Sequence, residues 1–476
     1  MSDHATAAGL TPPILERLAA IVGREHALTD PDQQLPYLRE WRDLYQGRAG
    51  VVLRPGTTGQ VAEIMRLAHA HAIPVVPQAG NTGLVGGQIP FNGEILLSVA
   101  RLQRVRALDA AGYSMTVEAG LTLAAAQAAA ASVGRLFPLS LASEGGCQIG
   151  GNLASNAGGV GVLAYGTARQ LVLGLEVVLA DGRVVPGLAA LKKDNTGYDL
   201  KDLFIGSEGT LGIITAATLR LFPKPIEQAT AFVALPELAA ALALFAAAQA
   251  AAGASLTAFE FMPRRVLEVV LRHIAGTRDP LAVPGAWYAL IELSGLAADG
   301  LAQRTLEDIL MGAQEKGLVT DAALATSLSQ ARAFWRLREA ISEAQKFEGG
   351  SVKNDVSVPI AKIPAFIDRA DALIRAVCPE ARPLAFGHFG DGNVHYNILQ
   401  PLEMPTAAFL ELWRPLQDAV NAAVLAFGGS ISAEHGIGVM KREALARMKS
   451  PVELELMRAI KAAFDPKGIL NPGKVL

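Results

Sequence analysis

Residues 387–398, GHFGDGNVHYNI, place two histidines around a turn-forming Asp-Gly pair. If Asp391-Gly392 is a two-residue hairpin turn, Gly390 faces Asn393, Phe389 faces Val394 and His388 faces His395. Cross-strand Cβ atoms stand about 4.5–5.5 Å apart, so both imidazoles could reach one metal ion, and the period of two puts Asn397 on their face. Residues 432–438, SAEHGIG, offer a third ligand: Glu434 would complete two imidazoles and one carboxylate, with coordination positions left open for a substrate. His435 beside it would then take up a proton near neutral pH. A metal-free acid/base cluster, or a hairpin whose histidines are only structural, would use the same residues. Zn, Fe, Mn and Co all suit such a donor set.

Two further stretches carry charge. In 334–345, FWRLREAISEAQ, the pattern predicts a helix with Arg338 and Ser342 at i and i+4 on one face, and Arg336 nearby. In 351–359, SVKNDVSVP, Lys353 enters an alternating strand. A guanidinium fork and an ammonium point charge would suit two carboxylates, although solvated side chains and helix salt bridges produce the same pattern.

Two loops are rich in glycine. Residues 77–87, PQAGNTGLVGG, follow a predicted strand, and residues 145–161, GGCQIGGNLASNAGGVG, interleave glycine with Asn152, Ser155 and Asn156. Such backbones bring consecutive amides close to an anion, and a pyrophosphate fits that description. Neither loop has the G-x-G-x-x-G spacing, and the chain has no G-x-x-x-x-G-K-[ST]. Ordinary turns of a β-rich domain remain the alternative for either loop.

The elements that must position these groups need a large chain. At 476 residues, two or three substructures are expected. A net charge of −3 gives no global basic field, so nucleic acid is not an expected partner. Cys147 and Cys378 are too few and too far apart for a thiolate zinc finger, an iron–sulfur cluster or a disulfide framework. The N-terminal residues, with Asp3, Glu16, Arg17, Arg24 and Glu25, show no secretory pattern. The uncharged run Leu238 to Phe259 is Ala-dominated and reads as a packed helix from after Pro236 to near Gly253, not as an integral membrane span. A soluble, cytoplasmic protein, with a homodimer as the assembly, is the expectation.

Residues 51–54 read as a strand, Thr58 to His71 as a helix and 73–77 as a strand, forming a β-α-β unit. Leu121 to Val133 reads as a helix stopped by Gly134, and 174–180 and 212–221 as strands. After Pro223-Lys224-Pro225, helical stretches over 237–252, 300–316, 321–347 and 362–376 alternate with apolar strands such as 286–293. From about Gly428 the chain regains Gly, His and Asn in short motifs.

Taken in order, the two glycine loops, DLKDLFIGSEGTLGIIT, GHFGDGNVH, SAEHGIG and DPKGILNPGK make the chain resemble the type-4 FAD-linked oxidase group of the vanillyl-alcohol oxidase / p-cresol methylhydroxylase superfamily, from about residue 50 to residue 474. KKDNTGYDLKDLFIGSEGTLG, EGGCQIGGN and VKNDVSVP look most like its members that oxidise D-2-hydroxyglutarate, with those acting on D-lactate and glycolate as near relatives.

The resemblance implies an α+β fold: a two-subdomain PCMH-type FAD-binding domain over 1–222, an α+β cap domain for the substrate over 223–427, and a short helical C-terminal return over 428–476. It implies noncovalent FAD lined by Pro77, Gln78, Gly80, Asn81, Thr82, Gly83, Leu84 and Gly87 and by Gly145, Cys147, Gly150, Gly151, Asn152, Ser155, Asn156, Gly158 and Gly159. Glu208, Gly209 and Ile213 would meet the cofactor's other end, with Asn471 near the flavin. It also implies zinc on His388, His395 and Glu434, His435 as the base, and Arg338, Ser342, Lys353 and Asn397 on the substrate.

The implied reaction takes a D-2-hydroxy acid to its 2-keto acid by hydride transfer to flavin. Lys353 favours D-2-hydroxyglutarate over D-lactate, because only the former has a second carboxylate for it; D-malate is a shorter dicarboxylate of the same kind. With no cluster-binding cysteines, the electrons would leave to an external acceptor, an electron-transfer flavoprotein or a quinone. Two departures from the family pattern stand out: Ala79 where a glycine is common, and Ser342 where a threonine is expected. A flavin-free metal hydrolase or lyase and a dicarboxylate-binding protein are the readings from other classes, and the yellow colour of bound flavin separates the first from an oxidase.

Overall fold

Short runs of Val, Ile and Leu bounded by Gly, Pro and Asp become strands, and Ala-rich runs with Thr or Ser before them become helices, in a computed structural model that describes residues 9–476. Asp3, used in reading the N-terminus, lies outside these residues. The chain divides into two compact units. The first takes residues up to Gly158, then Gly166–Pro223 and Glu434–Leu476; the second takes Gly159–Tyr165 and Lys224–Ala433.

The first unit holds two sheets. Strands β1 (Ala27–Leu28), β2 (Ala49–Leu53), β3 (Val75–Gln78) and β4 (Glu94–Ser98) lie in the order β1-β2-β4-β3, and β2, β4 and β3 run parallel. The helix Thr58–Ala70 connects β2 to β3, capped by the Thr57 hydroxyl accepting from the Gln60 amide at 3.2 Å. Val61, Ile64, Met65 and Ala68 form its buried stripe. The β-α-β unit is therefore present, with β4 inserted between its strands. Strands β5 (Val105–Asp109), β6 (Ser114–Glu118), β8 (Val172–Val178), β9 (Val184–Gly187) and β10 (Ile213–Arg220) form an antiparallel sheet ordered β5-β6-β10-β8-β9. A two-stranded pairing joins β7 (Arg135–Leu136) to β11 (Phe222–Pro223).

The second unit is built on one antiparallel sheet of seven strands. These are β12 (Glu227–Leu235), β13 (Leu256–Pro263), β14 (Trp287–Gly295), β15 (Asp321–Leu324), β16 (Ser351–Ser357), β17 (Arg382–His388) and β18 (Asn393–Leu399), in the order β15-β12-β14-β13-β17-β18-β16. One face packs Phe259 and Phe261 against Phe389, the first tilted and the second edge-on, and reaches Phe245 of the helix Leu238–Ala252. That helix ends at Gly253, whose φ of 52° with ψ −123° lies in a region that favours glycine. Leu238–Ser255 is the one helical stretch among the described residues long and apolar enough to cross a membrane by length and composition; Ala241, Leu244 and Ala248 bury its inner stripe in the second unit.

The opposite face packs Phe232, Met262, Tyr288 and Leu290 beneath the helices Arg264–His273 and Leu328–Glu339. Residues 321–347 depart from the single helical stretch predicted. Asp321–Leu324 is an edge strand paired with β12, Ala322 against Val233 and Leu324 against Ala231. Pairing with a neighbouring strand overrides the local helix propensity of Asp-Ala-Ala-Leu.

Candidate functional site

Strand register decides which side chains of the second unit share a face. Glu260 of β13 pairs with His388 of β17, His388 with Asn393 of β18, His395 with Asp355 of β16, and Asn397 with Lys353. Paired residues in an antiparallel sheet point the same way, so Glu260, His388, Asn393, His395, Asn397, Lys353 and Asp355 form a polar row across four neighbouring strands.

The hairpin differs from the predicted one in a single respect. His388 pairs with Asn393, and His395 with Phe386, because the turn is longer: Phe389–Asp391 forms a 3₁₀ turn and Gly392 takes φ 86°. The Asp391 carboxylate accepts from the Asn393 amide at 3.0 Å, closing that turn. The register thus moves by an even number, which leaves every side chain on its expected face. The two imidazoles become diagonal neighbours, with ring centroids 5.4 Å apart at 76° and ligand nitrogens within 4.8 Å. Burial pushes the Asp391 carboxyl up to about 6.

Each imidazole has a carboxylate beside it. His388 Nδ1 meets Glu260 Oε1 at 2.8 Å, and His395 Nδ1 lies 3.7 Å from Asp355 Oδ1. At His388 the carboxylate acceptor selects the tautomer with the proton on Nδ1 and leaves Nε2 as the ligand atom, the usual arrangement behind a metal-bound histidine. The donor set therefore fits a divalent metal. Glu434 follows in the chain directly after Ala433, whose amide donates to the carbonyl of Asp355, the partner of His395 in the ladder, at 3.4 Å. Glu434 and His435 begin the return segment of the first unit.

Arg338, only 8% exposed, ends the helix Leu328–Glu339. Its Nε donates to Glu260 Oε2 at 2.8 Å, its guanidinium lies over the Phe386 ring at 5.2 Å, and its Nη2 is buried with no hydrogen-bond partner. Burial would raise the Glu260 carboxyl, but His388 and Arg338 together hold it below the ordinary range. Arg338 and Ser342 do not share a continuous helix as predicted. Ala340, at ψ −6°, separates Leu328–Glu339 from Ile341–Ala344, and Ser342 is exposed where Arg338 is buried. Asn397 Nδ2 donates to Gln345 Oε1 at 2.8 Å, and Gln345 Nε2 is buried without a partner.

In the first unit, four chain segments converge. A Cβ on Gly80 would stand 2.2 Å from the Gly146 carbonyl oxygen, so the two glycine loops pack backbone to backbone. Gly209, at φ 71°, lies against Pro77, and Asn471 Nδ2 donates to the carbonyls of Gly87 at 2.9 Å and Glu208 at 2.8 Å. Asn471 Oδ1 and Gln148 Oε1 are buried without partners. Bare loop backbone fits the phosphates of a cofactor such as FAD, and the two orphaned amide oxygens, which only accept, fit its hydroxyl and ring N–H donors.

Several predicted cofactor residues also hydrogen-bond to the protein through their side chains. Gln78 Nε2 donates to the carbonyls of Tyr37 and Gln88, Asn81 Nδ2 to those of Pro36 and Arg39, and Asn156 Oδ1 accepts from Thr167 and Arg169. Ser155 Oγ bonds back to the Gly151 carbonyl, and the Glu208 carboxylate accepts from the amides of Ile437 at 2.6 Å and Gly438 at 2.7 Å. Burial raises the Glu208 carboxyl against those two amides and Lys441, and burial likewise pushes the Cys147 thiol up. Gly159 belongs with the second unit.

A methyl group at Gly80 is expected to cost about 1–3 kcal/mol of overpacking, lowering flavin affinity by roughly 5- to 150-fold. The flavin-to-protein absorbance ratio of purified Gly80→Ala reads this. An unchanged ratio after dilution would mean that the first loop does not carry the cofactor.

Sequence reading missed Glu260, Asp355 and Gln345. The signal for Glu260 was present: it is the only charge in the apolar strand LTAFEFMP.

The FAD binding domain model matches residues 49–186, and the model for the C-terminal domain of FAD linked oxidases matches residues 224–475. The chain is 41% identical to D-2-hydroxyglutarate dehydrogenase, mitochondrial, of Bos taurus, over 97% of this chain and 82% of that protein. It is 39% identical to D-2-hydroxyglutarate dehydrogenase of Xanthomonas citri pv. viticola, over 98% of this chain and 97% of that protein. Among solved structures, a p-cresol methylhydroxylase with substrate bound superposes with a TM-score of 0.75 at 19% identity, covering 99% of this chain and 98% of that one. That likeness bears on the fold alone.

Proposed function

From a chain that belongs to the FAD-linked oxidases and has the PCMH-type fold, we propose an FAD-dependent dehydrogenase that oxidises D-2-hydroxyglutarate to its 2-keto acid with a divalent metal, zinc, at the substrate. The observation that carries the substrate choice is the buried, unpartnered Nη2 of Arg338 on the same sheet face as Lys353, two cations for two carboxylates. The names of the relatives from Bos taurus and Xanthomonas citri point the same way.

His388 and His395, with Glu434 as the third ligand, would hold the metal; the glycine loops would hold noncovalent FAD. When bound, the metal supplies a Lewis acid that makes the substrate hydroxyl more acidic, and FAD supplies a two-electron acceptor. Arg338 donates from Nη2 to one substrate carboxylate, and Lys353 donates from Nζ to the other. The Asn397 amide, braced on Gln345, lies opposite Lys353 and fixes the chain of the substrate between them. An imidazole nitrogen of His435 takes the hydroxyl proton as the α-hydrogen leaves with its electron pair. The external acceptor for the electrons would be an electron-transfer flavoprotein or a quinone.

The test is a substrate panel with a dye acceptor on metal-stripped and zinc-restored protein. D-2-hydroxyglutarate should give the highest kcat/KM, D-malate less, D-lactate least, and activity should vanish on stripping and return with zinc. D-lactate turning over more efficiently than D-2-hydroxyglutarate would overturn the substrate choice. Full activity in the stripped protein would overturn the metal.

A further inference from the structure

We propose that Glu260 is a positioning residue, a single carboxylate that locks the metal-holding imidazole of His388 and the carboxylate-binding guanidinium of Arg338 into one fixed relation. This deepens the reading above and rests on it. Glu260 is 1% exposed, and its two oxygens serve two different cations: Oε1 takes His388 Nδ1 and Oε2 takes Arg338 Nε, each at 2.8 Å. The partners come from separate elements, His388 from the end of β17 and Arg338 from the end of the helix Leu328–Glu339.

The way Arg338 is held argues for a role beyond packing. An arginine closing a structural ion pair commonly engages carboxylate oxygens through two parallel N–H bonds. Here Glu260 binds Nε, and Phe386 lies beneath the guanidinium plane at 5.2 Å, while Nη2 stays without a partner inside the protein. Burying an unpaired donor is unfavourable unless a ligand completes it. Glu260 thus orients the guanidinium without occupying its outer edge. On its other side it fixes the proton of His388 on Nδ1, which commits Nε2 to the metal. A buried carboxylate is itself costly and an apolar residue would fill β13 as well, so its presence is better explained by this double alignment than by stability.

The experiment uses holoenzyme carrying Glu260→Gln, which has the same shape but can accept from only one of its two donors. Zinc affinity, measured by competition with a chelator, is expected to fall about 10- to 100-fold. With zinc saturating, KM for D-2-hydroxyglutarate should remain raised while kcat falls less, because the Arg338 arm is also released. Flavin content and thermal unfolding establish that the variant is folded. If it is not, Glu260→Asp, which keeps the charge but withdraws it by one methylene, should show the same two losses in smaller measure. A folded variant with parental zinc affinity and KM, changed only in Tm, would make Glu260 structural and overturn the inference. His388→Ala separates this from failure of the underlying reading. Zinc lost in His388→Ala but kept in Glu260→Gln refutes only the role of Glu260, whereas zinc bound at parental affinity in His388→Ala refutes the metal site itself.

Discussion

Replacing His435 by alanine is expected to lower kcat about 10²–10⁴-fold, the contribution typical of a positioned general base, with zinc and flavin contents unchanged. The proposed ligands His388, His395 and Glu434 and the cations Arg338 and Lys353 all survive the substitution, so substrate binding should persist and KM should move little. Anaerobic mixing with D-2-hydroxyglutarate isolates the step: flavin reduction should slow by the same factor as turnover. Added imidazole should restore part of the rate by entering the space left by the side chain. Flavin reduction at the parental rate would assign the proton transfer elsewhere, and a loss confined to KM would make His435 a binding residue. Glu434 and His435 are adjacent in the chain, so zinc content must be measured on the same preparation.

The faces of the hairpin at 387–398 were legible in the sequence, while its register was not. Side-chain period in a strand is two, so any even slip preserves which residues point together, and His388, His395 and Asn397 share a face in the predicted and the observed turn alike. The turn itself depended on the 3₁₀ geometry of Phe389–Asp391 and the Asp391 side chain accepting from Asn393, which an Asp-Gly pair alone does not specify. The longer turn makes the imidazoles diagonal neighbours, still near enough for one ion.

Glycine loops were legible as backbone and illegible as side chains. The close approach of Gly80 to the Gly146 carbonyl requires bare backbone at Gly80, and the glycine-rich run announces it. Gln78, Asn81 and Asn156 sit in the same loops and look equally suited to a ligand, yet each braces a segment distant in sequence, which no local pattern encodes. The edge strand Asp321–Leu324 has a similar origin: a tertiary partner overrode a run that is helical by propensity. Glu260 needed the sheet order, since β13 and β17 are adjacent in space while His388 lies far along the chain.

Lys353→Met is expected to change the preference between D-2-hydroxyglutarate and D-lactate by about 10²–10³-fold, the sum of two effects of opposite sign on the two substrates. For the dicarboxylate, the variant loses a hydrogen bond between charged groups, worth about 1.5–3 kcal/mol. For the short acid, it removes an ammonium that would otherwise face a methyl group, relieving about 1–3 kcal/mol of uncompensated desolvation. Lys353 is half-buried, so water reaches it and the lower part of each range applies. Arg338, fixed by Glu260, still holds the remaining carboxylate, so kcat for D-lactate should stay at or above the parental value. Steady-state kcat/KM for both acids, on zinc-saturated protein of equal flavin content, gives the ratio directly. Equal losses on both substrates would mean that Lys353 acts on the carboxylate they share, and the second-carboxylate assignment would pass to another donor, with the buried Nε2 of Gln345 the next to test.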